Sequence, residues 1–489
     1  MQIMRNKILL SGIYAVIGIL TLSGCKKMLE IAPPINSVTT PEIFESNKQA
    51  EWAIAAIYSK MINGLNENGM STGQVITDKV FSAGLCTILG GLSADELTVP
   101  TNLQNADLFA YNNKLTVVNS LKTAMIWESA YKAIFDCNAA IEGIRASTSI
   151  LFTDSVRKEL TGEALALRAF SYFYLVNFYG DVPLVLSTDF RVTQGLPRSP
   201  VVKVYEQIKA DLVAARSLLA ADYSVGRNER VRVNRWFAEA MLARVYLYTG
   251  EYQQAITSAT NVIGHSALFS IEQNLNNTFL PNNGETILQL KPAADNSWVQ
   301  NGVPEGYILY NVPASGGPYL RSYELSSQLA AAFEANDQRK TLWTRQVNAA
   351  VVAAKYTRAE KQQYYNVIRL SELHLIRAEA IMRSNPGDKI NAIEDLNILR
   401  RRAGVDELDD QLTPEQVITA IAHERRVELF LEWGHRWLDL KRTGEAGDVL
   451  SAIPNKQPWW GDYQLLYPIP ADEIRENSNL IQNPEYNVR

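Results

Sequence analysis

The most specific chemistry in the chain lies near its N-terminus, in Leu22-Ser23-Gly24-Cys25. Small residues ahead of a cysteine let a signal peptidase reach the backbone, and the freed thiol side chain can carry a diacylglycerol. The apolar run Ile8–Leu22 behind Arg5 and Lys7 has the form of an export signal. It falls short of the ~20 apolar residues that a permanent span needs. Residues 1–24 are therefore read as a lipoprotein signal peptide, with Cys25 as the lipidation site. Loss of Arg5 and Lys7 takes the formal charge from −5 to −7, an acidic balance that argues against a nucleic-acid binder.

Catalytic and cofactor signatures are missing from the rest of the chain. There is no GxxxxGK[ST], no GxGxxG after a strand, no GxSxG and no CxxC. His423-Glu424 begins like a zinc-binding HExxH, but Val427 stands where the second histidine belongs. His374 sits among Leu373, Leu375 and Ile376, His265 follows a helix end, and His435 follows Gly434. No metal, no cofactor and no catalytic residue is expected. Asp95-Glu96 is the best carboxylate pair in a loop, and turn chemistry accounts for it. The run Glu424, Arg425, Arg426, Glu428, Glu432, Arg436 and Asp439 places like charges four residues apart. It reads as a helix junction in which Arg425, Arg436 or another basic residue neutralises the acids. Cys86 and Cys137 fit either a disulfide or two buried thiols.

The elements that must position any site are mainly helical. Pro41–Ile62, with Thr40 as cap, Ile126–Ile144, Glu159–Tyr179 and Val201–Leu219 have helical spacing of apolar residues. In Asn234–Ile263, Leu242, Ala243, Tyr246, Gly250, Tyr252 and Ala255 fall at tetratricopeptide offsets. A degenerate second hairpin runs over Leu370–Ala403 with its turn at Asn385–Asp388. Such pairs cannot bury an apolar face alone and must stack. The helical scaffold is expected over about 41–62, 124–265 and 325–445, with loop-rich insertions over about 65–123, 266–321 and 446–489. Thr286–Lys291 alternates like a short strand. The insertions carry Trp298, Tyr307, Tyr310 and Tyr319, rings that disordered segments seldom contain, and are read as an ordered binding surface.

Motifs along nearly the whole chain resemble the SusD/RagB family of Bacteroidota outer-membrane lipoproteins. They begin with Cys25-Lys26-Lys27-Met28-Leu29-Glu30, continue through Gly162-Glu163-Ala164 and Leu167-Arg168-Ala169-Phe170, and run on to Tyr179-Gly180-Asp181-Val182-Pro183-Leu184. Ala243-Arg244-Val245-Tyr246-Leu247-Tyr248, Arg377-Ala378-Glu379-Ala380, Glu424-Arg425-Arg426-Val427-Glu428-Leu429 and Pro468-Ile469-Pro470 follow in order. The resemblance implies a non-catalytic lipoprotein with a tetratricopeptide-like scaffold packed against a loop-rich half with few strands, over residues 25–489. It further implies an outer-membrane location facing the exterior and a SusC-like TonB-dependent transporter as partner. The implied cargo is an oligosaccharide or polysaccharide, or in some members a peptide. Lys26-Lys27 departs from the acidic surface-export signals usual in these bacteria.

The matching motifs belong to the scaffold, so the ligand residues are argued from physics. Sugars present C–H faces that stack on flat rings, and carboxamides and charged groups address their hydroxyls. Trp298, Tyr307, Tyr310 and Tyr319 are the expected rings, with Asn102, Asp95, Asn296 and Asn311 as polar partners. Trp459-Trp460 is a second candidate patch, for ligand or for the transporter.

Overall fold

A computed structural model describes residues 43–64, 80–99, 107–293, 303–309, 323–357 and 363–486. Helix α1 (Asn47–Asn63) starts behind Ser46, whose hydroxyl accepts from the Gln49 N–H. That start is six residues later than the sequence suggests; Thr40 and Pro41, like Cys25 and the signal segment, lie outside the described residues. The helices that follow are α2 (Cys86–Ser93), α3 (Asp107–Tyr111), α4 (Leu121–Ala146), α5 (Asp154–Tyr179) and α6 (Val201–Leu218). Next are α7 (Arg235–Tyr248), α8 (Tyr252–Ile263), α9 (Pro304–Leu309), α10 (Leu370–Ser384), α11 (Lys389–Ala403), α12 (Pro414–Glu428) and α13 (His435–Thr443). Both expected hairpins form, as α7–α8 and α10–α11.

Packing follows chain order: α4 on α5, α5 on α6, α6 on α7, α7 on α8, α8 on α10, and α10 on α11 and α12. Small residues let these axes approach. Ala238, Ala240 and Ala243 of α7 and Ala378 and Ala380 of α10 are fully buried. Caps fix the ends: Asn234 accepts from the N–H groups of Trp236 and Phe237, and Thr413 with Gln416 forms a capping box at α12.

Among the described residues the strands form four two-stranded antiparallel ladders: β1 (Leu97–Thr98) with β5 (Glu324–Leu325), β2 (Val182–Pro183) with β3 (Arg198–Ser199), β4 (Thr286–Leu290) with β8 (Tyr365–Arg369), and β6 (Thr344–Val347) with β7 (Ala350–Ala353). The alternating Thr286–Lys291 segment is thus a strand. All five residues of Thr286–Leu290 are buried, so the alternation does not mark a wet face.

The stretch 65–123, read as loop-rich, contains a buried helical unit instead. A π-turn over Phe81–Leu85 runs into α2, and every residue from Phe81 to Ser93 is buried. A helix apolar on all sides has no 3.6-residue pattern to detect. It crosses α13 closely: a Cβ on Gly90 would stand 2.6 Å from the Gly434 Cα. Cys86 and Cys137 are both buried free thiols.

The acid-rich run of α12 is neutralised from a distance. Glu428 accepts from Arg339, Arg369 and Arg402, and Glu424 from Arg339 and Arg400. Arg425 instead pairs with Asp439 at 2.8 Å, and Arg436 with Asp95 at 2.8 Å. The neutralising residues are therefore other basic residues, drawn from β8, α11 and the segment before β6. Trp433 ties this junction to the scaffold, stacked on Tyr365 at 4.9 Å and edge-on to Phe170.

Candidate functional site

The described residues that flank two of the segments holding expected ligand residues lie together. Val99 and Asp107 flank residues 100–106 in the sequence, and Leu309 and Tyr323 flank residues 310–322. In the β1–β5 ladder Leu97 faces Leu325 and Thr98 faces Glu324. Tyr323 Oη donates to Asp107 Oδ2 at 2.6 Å, and Lys122 Nζ donates to the same oxygen at 2.9 Å. These contacts bring the two segments' ends to one place on the body, which the sequence separation of more than 200 residues conceals.

Helix α9, which precedes residues 310–322, packs on the Phe81–Leu85 turn. Glu305 is buried and accepts from Tyr365 Oη. Burial pushes its carboxyl up to about 8. Gly84 lies in the left-handed region at φ +102°, and a Cβ there would meet Glu305 at 3.3 Å. The helix is thereby locked against the Phe81–Leu85 turn.

Of the expected ligand residues, Asn102, Asn296, Trp298, Tyr310, Asn311 and Tyr319 lie outside the described residues. Tyr307 lies in α9, its side chain likewise outside them. Asp95 is described, and its place argues against a sugar-facing role. It is 4% exposed, and its oxygens accept from Arg426 at 2.6 Å and Arg436 at 2.8 Å. Burial alone would raise its pKa; the two guanidinium groups outweigh it and hold the carboxyl below its ordinary value. Its neighbour Glu96 accepts from the Leu431 N–H, and burial beside Asp95 raises its carboxyl to about 7. The pair welds β1 to the α12–α13 junction.

A second element of the loop-rich half was only partly visible in sequence. Lys456 is 1% exposed and donates to four oxygens, none of them a carboxylate among the described residues: Leu92 O at 2.9 Å, Ser93 O at 3.2 Å, Tyr111 O at 2.6 Å and Asn113 Oδ1 at 2.6 Å. Two of these are the last carbonyls of α2, where a cation is favoured by the helix dipole. Nothing in Pro454-Asn455-Lys456 announces a buried ammonium group. It pins the Trp459–Trp460 segment to α2 and α3. Trp459 is half-buried, whereas Trp460 is 47% exposed.

The histidines are structural in their surroundings. His374 Nδ1 lies 2.6 Å from Asp395, His265 stacks on Trp236 at 4.3 Å, and burial holds the His435 imidazole down at about 4. Among the described residues no group of three His, Cys, Asp or Glu side chains is placed to hold a metal ion. None of the described helices is long and apolar enough to cross a membrane.

This architecture is that of a known class. The family model described as "Starch-binding associating with outer membrane" matches residues 89–247, and that of the "SusD family" matches residues 264–486. The chain belongs to the SusD family of outer-membrane-associated carbohydrate-binding proteins. SusD-like protein P2 of Formosa agariphila is 26% identical, with 96% of this chain and 98% of that protein covered. The starch-binding protein SusD of Bacteroides thetaiotaomicron is 35% identical over 24% of this chain and 21% of its own length. Among solved structures, a SusD superfamily protein from Bacteroides vulgatus superposes with a TM-score of 0.75 at 21% identity, over 90% of this chain and 99% of its own. Surface glycan-binding protein A from Bacteroides uniformis gives 0.72 at 20%, over 90% and 99%.

Proposed function

We propose that this chain is a lipid-anchored glycan-capture protein that binds oligosaccharides or polysaccharides at the cell surface without cleaving them. It hands them to a SusC-like TonB-dependent transporter for import. Membership of the SusD family is the observation that carries this reading. Solved structures of similar fold include a laminarin-binding SusD-like protein, with a TM-score of 0.72. The nearness of the residues that flank 100–106 and 310–322 supports a site built by both segments. Trp298, Tyr307, Tyr310 and Tyr319 supply the stacking rings, and Asn102, Asn296 and Asn311 address hydroxyls. Asp95, committed to two arginines, is left out.

Lipid on Cys25 holds the protein to the membrane, each buried methylene contributing ~0.8 kcal/mol, so two or three chains anchor firmly. Isothermal titration of residues 26–489 against a glycan panel tests the reading. Heat of binding with no release of reducing ends is expected; turnover by the same preparation would make it a glycosidase, and binding of peptides alone would make it a peptide receptor.

A further inference from the structure

Where the end of α10 meets α12 and α13, the fold encloses a cavity of about 30 Å³. Five arginines line it: Arg383, Arg425, Arg426, Arg436 and Arg442. Three carboxylates are shared among them. Asp439 accepts from Arg425 and Arg442, and Asp95 accepts from Arg426 and Arg436. Glu379 accepts from Arg442 and lies 3.8 Å from Arg383. The pairing is incomplete. Arg425 is 4% exposed, yet its Nη1 has no hydrogen-bond partner among the described residues. Arg426 Nε and Glu96 Oε2, on two further lining residues, are likewise buried and unpartnered there. A buried guanidinium N–H without an acceptor is rare, because its desolvation cost is not offset.

Charge balance selects what such a site would take. The other acids that line it are Glu445, which is exposed, and Glu96, whose carboxyl burial pushes up to about 7. Even with Arg383 left out as partly exposed, four guanidinium groups stand against three buried carboxylates when Glu96 is protonated. A water molecule would satisfy an N–H group but leave that surplus in place. An anion offsets both, and its hydrogen bonds to guanidinium are roughly twice as strong as neutral ones. Volume sets the size. One water needs roughly 10–15 Å³ of such space, so the cavity has room for a halide and none for a sugar ring. The place matters too, because Arg425 belongs to α12, Asp439 to α13 and Glu379 to α10.

We propose that this cavity binds a small inorganic anion of the halide class, held by Arg425 and Arg426, and that the bound anion fastens α12 to α13 and the end of α10. The site stands whether or not the chain captures glycans. Glu96, set among Asp95, Arg426 and Arg436, opposes the anion once it ionises. Melting of residues 26–489 in sodium chloride, against sodium gluconate at equal ionic strength, reads the site, since gluconate is too large to enter. At pH 6 chloride is expected to raise the melting temperature saturably by about 2 °C. At pH 8 the rise should shrink several-fold in wild type and persist in Glu96→Gln, which cannot ionise. Arg425→Gln, compared with its own melting in gluconate, should lose the rise. If Arg425→Gln does not fold, wild-type crystals grown in sodium bromide decide the matter. An anomalous bromine peak within hydrogen-bond reach of Arg425 Nη1 supports the site. A water there without bromine signal overturns it, as does an equal chloride response in folded Arg425→Gln or no response in wild type at pH 6.

Discussion

Glu428 receives hydrogen bonds from three buried guanidinium groups, Arg339, Arg369 and Arg402, and its carboxyl is held well below the ordinary range by them against the effect of burial. Removing one partner of such a cluster leaves charge buried and uncompensated, which costs about 3–5 kcal/mol. Glu428→Ala is expected to lower stability by that amount in a urea melt; an unchanged midpoint would contradict the cluster's role. Glu305 is the opposite case. Burial raises it from 4.5 to about 8, so the folded state holds its proton where the unfolded state has lost it. Its contribution is intact below pH 4.5 and is lost progressively as pH rises to 8. Glu305→Gln cannot titrate and can still accept from Tyr365. Its stability relative to wild type should rise between pH 5 and pH 8 by a few kcal/mol. A flat difference across that range would show that Glu305 does not carry the linkage.

At the scale of elements, the hairpin α7–α8 was legible because Leu242, Ala243, Tyr246, Gly250, Tyr252 and Ala255 keep the repeat offsets, and α10–α11 because a turn at Asn385–Asp388 breaks two helix-forming runs. Helix α2 was not, because Cys86–Ser93 is buried on every side and offers no polar face to set a period. Its close crossing with α13 gives a direct check. Gly90→Ala gains about 1 kcal/mol in helix propensity, yet its Cβ would stand 2.6 Å from the Gly434 backbone. Thermal melting should show a net loss of stability, since backbone cannot move aside as a flexible side chain does. Higher stability in this variant would mean that the crossing is looser than described. The partners of α12 were also hidden: Arg339 and Arg369 precede Glu428 by 89 and 59 residues, and only the fold brings them together. For the candidate site, sequence identified ring-bearing segments but misassigned Asp95. A carboxylate beside a turn looks the same in sequence whether it meets solvent or two arginines.

For the whole molecule, scaffold and proposed ligand selection fall in two regions. The helical stack carries the motifs that identify the family, and the loop-bearing half is where ligand selection is proposed to lie. Family motifs therefore say little about cargo, since they are the residues that hold helices together. The proposed tether is a separate matter. Cys25→Ser should move the protein from the membrane fraction to the soluble fraction without changing its glycan affinity; retention in the membrane would point to another anchor. Capture is the central claim, and isothermal titration of residues 26–489 with the glycan panel tests it most directly. The account predicts saturable binding of at least one glycan, no cleavage of it, and weaker binding in Trp298→Ala and Tyr310→Ala. Absence of binding to every glycan, or full affinity in both variants, would contradict it.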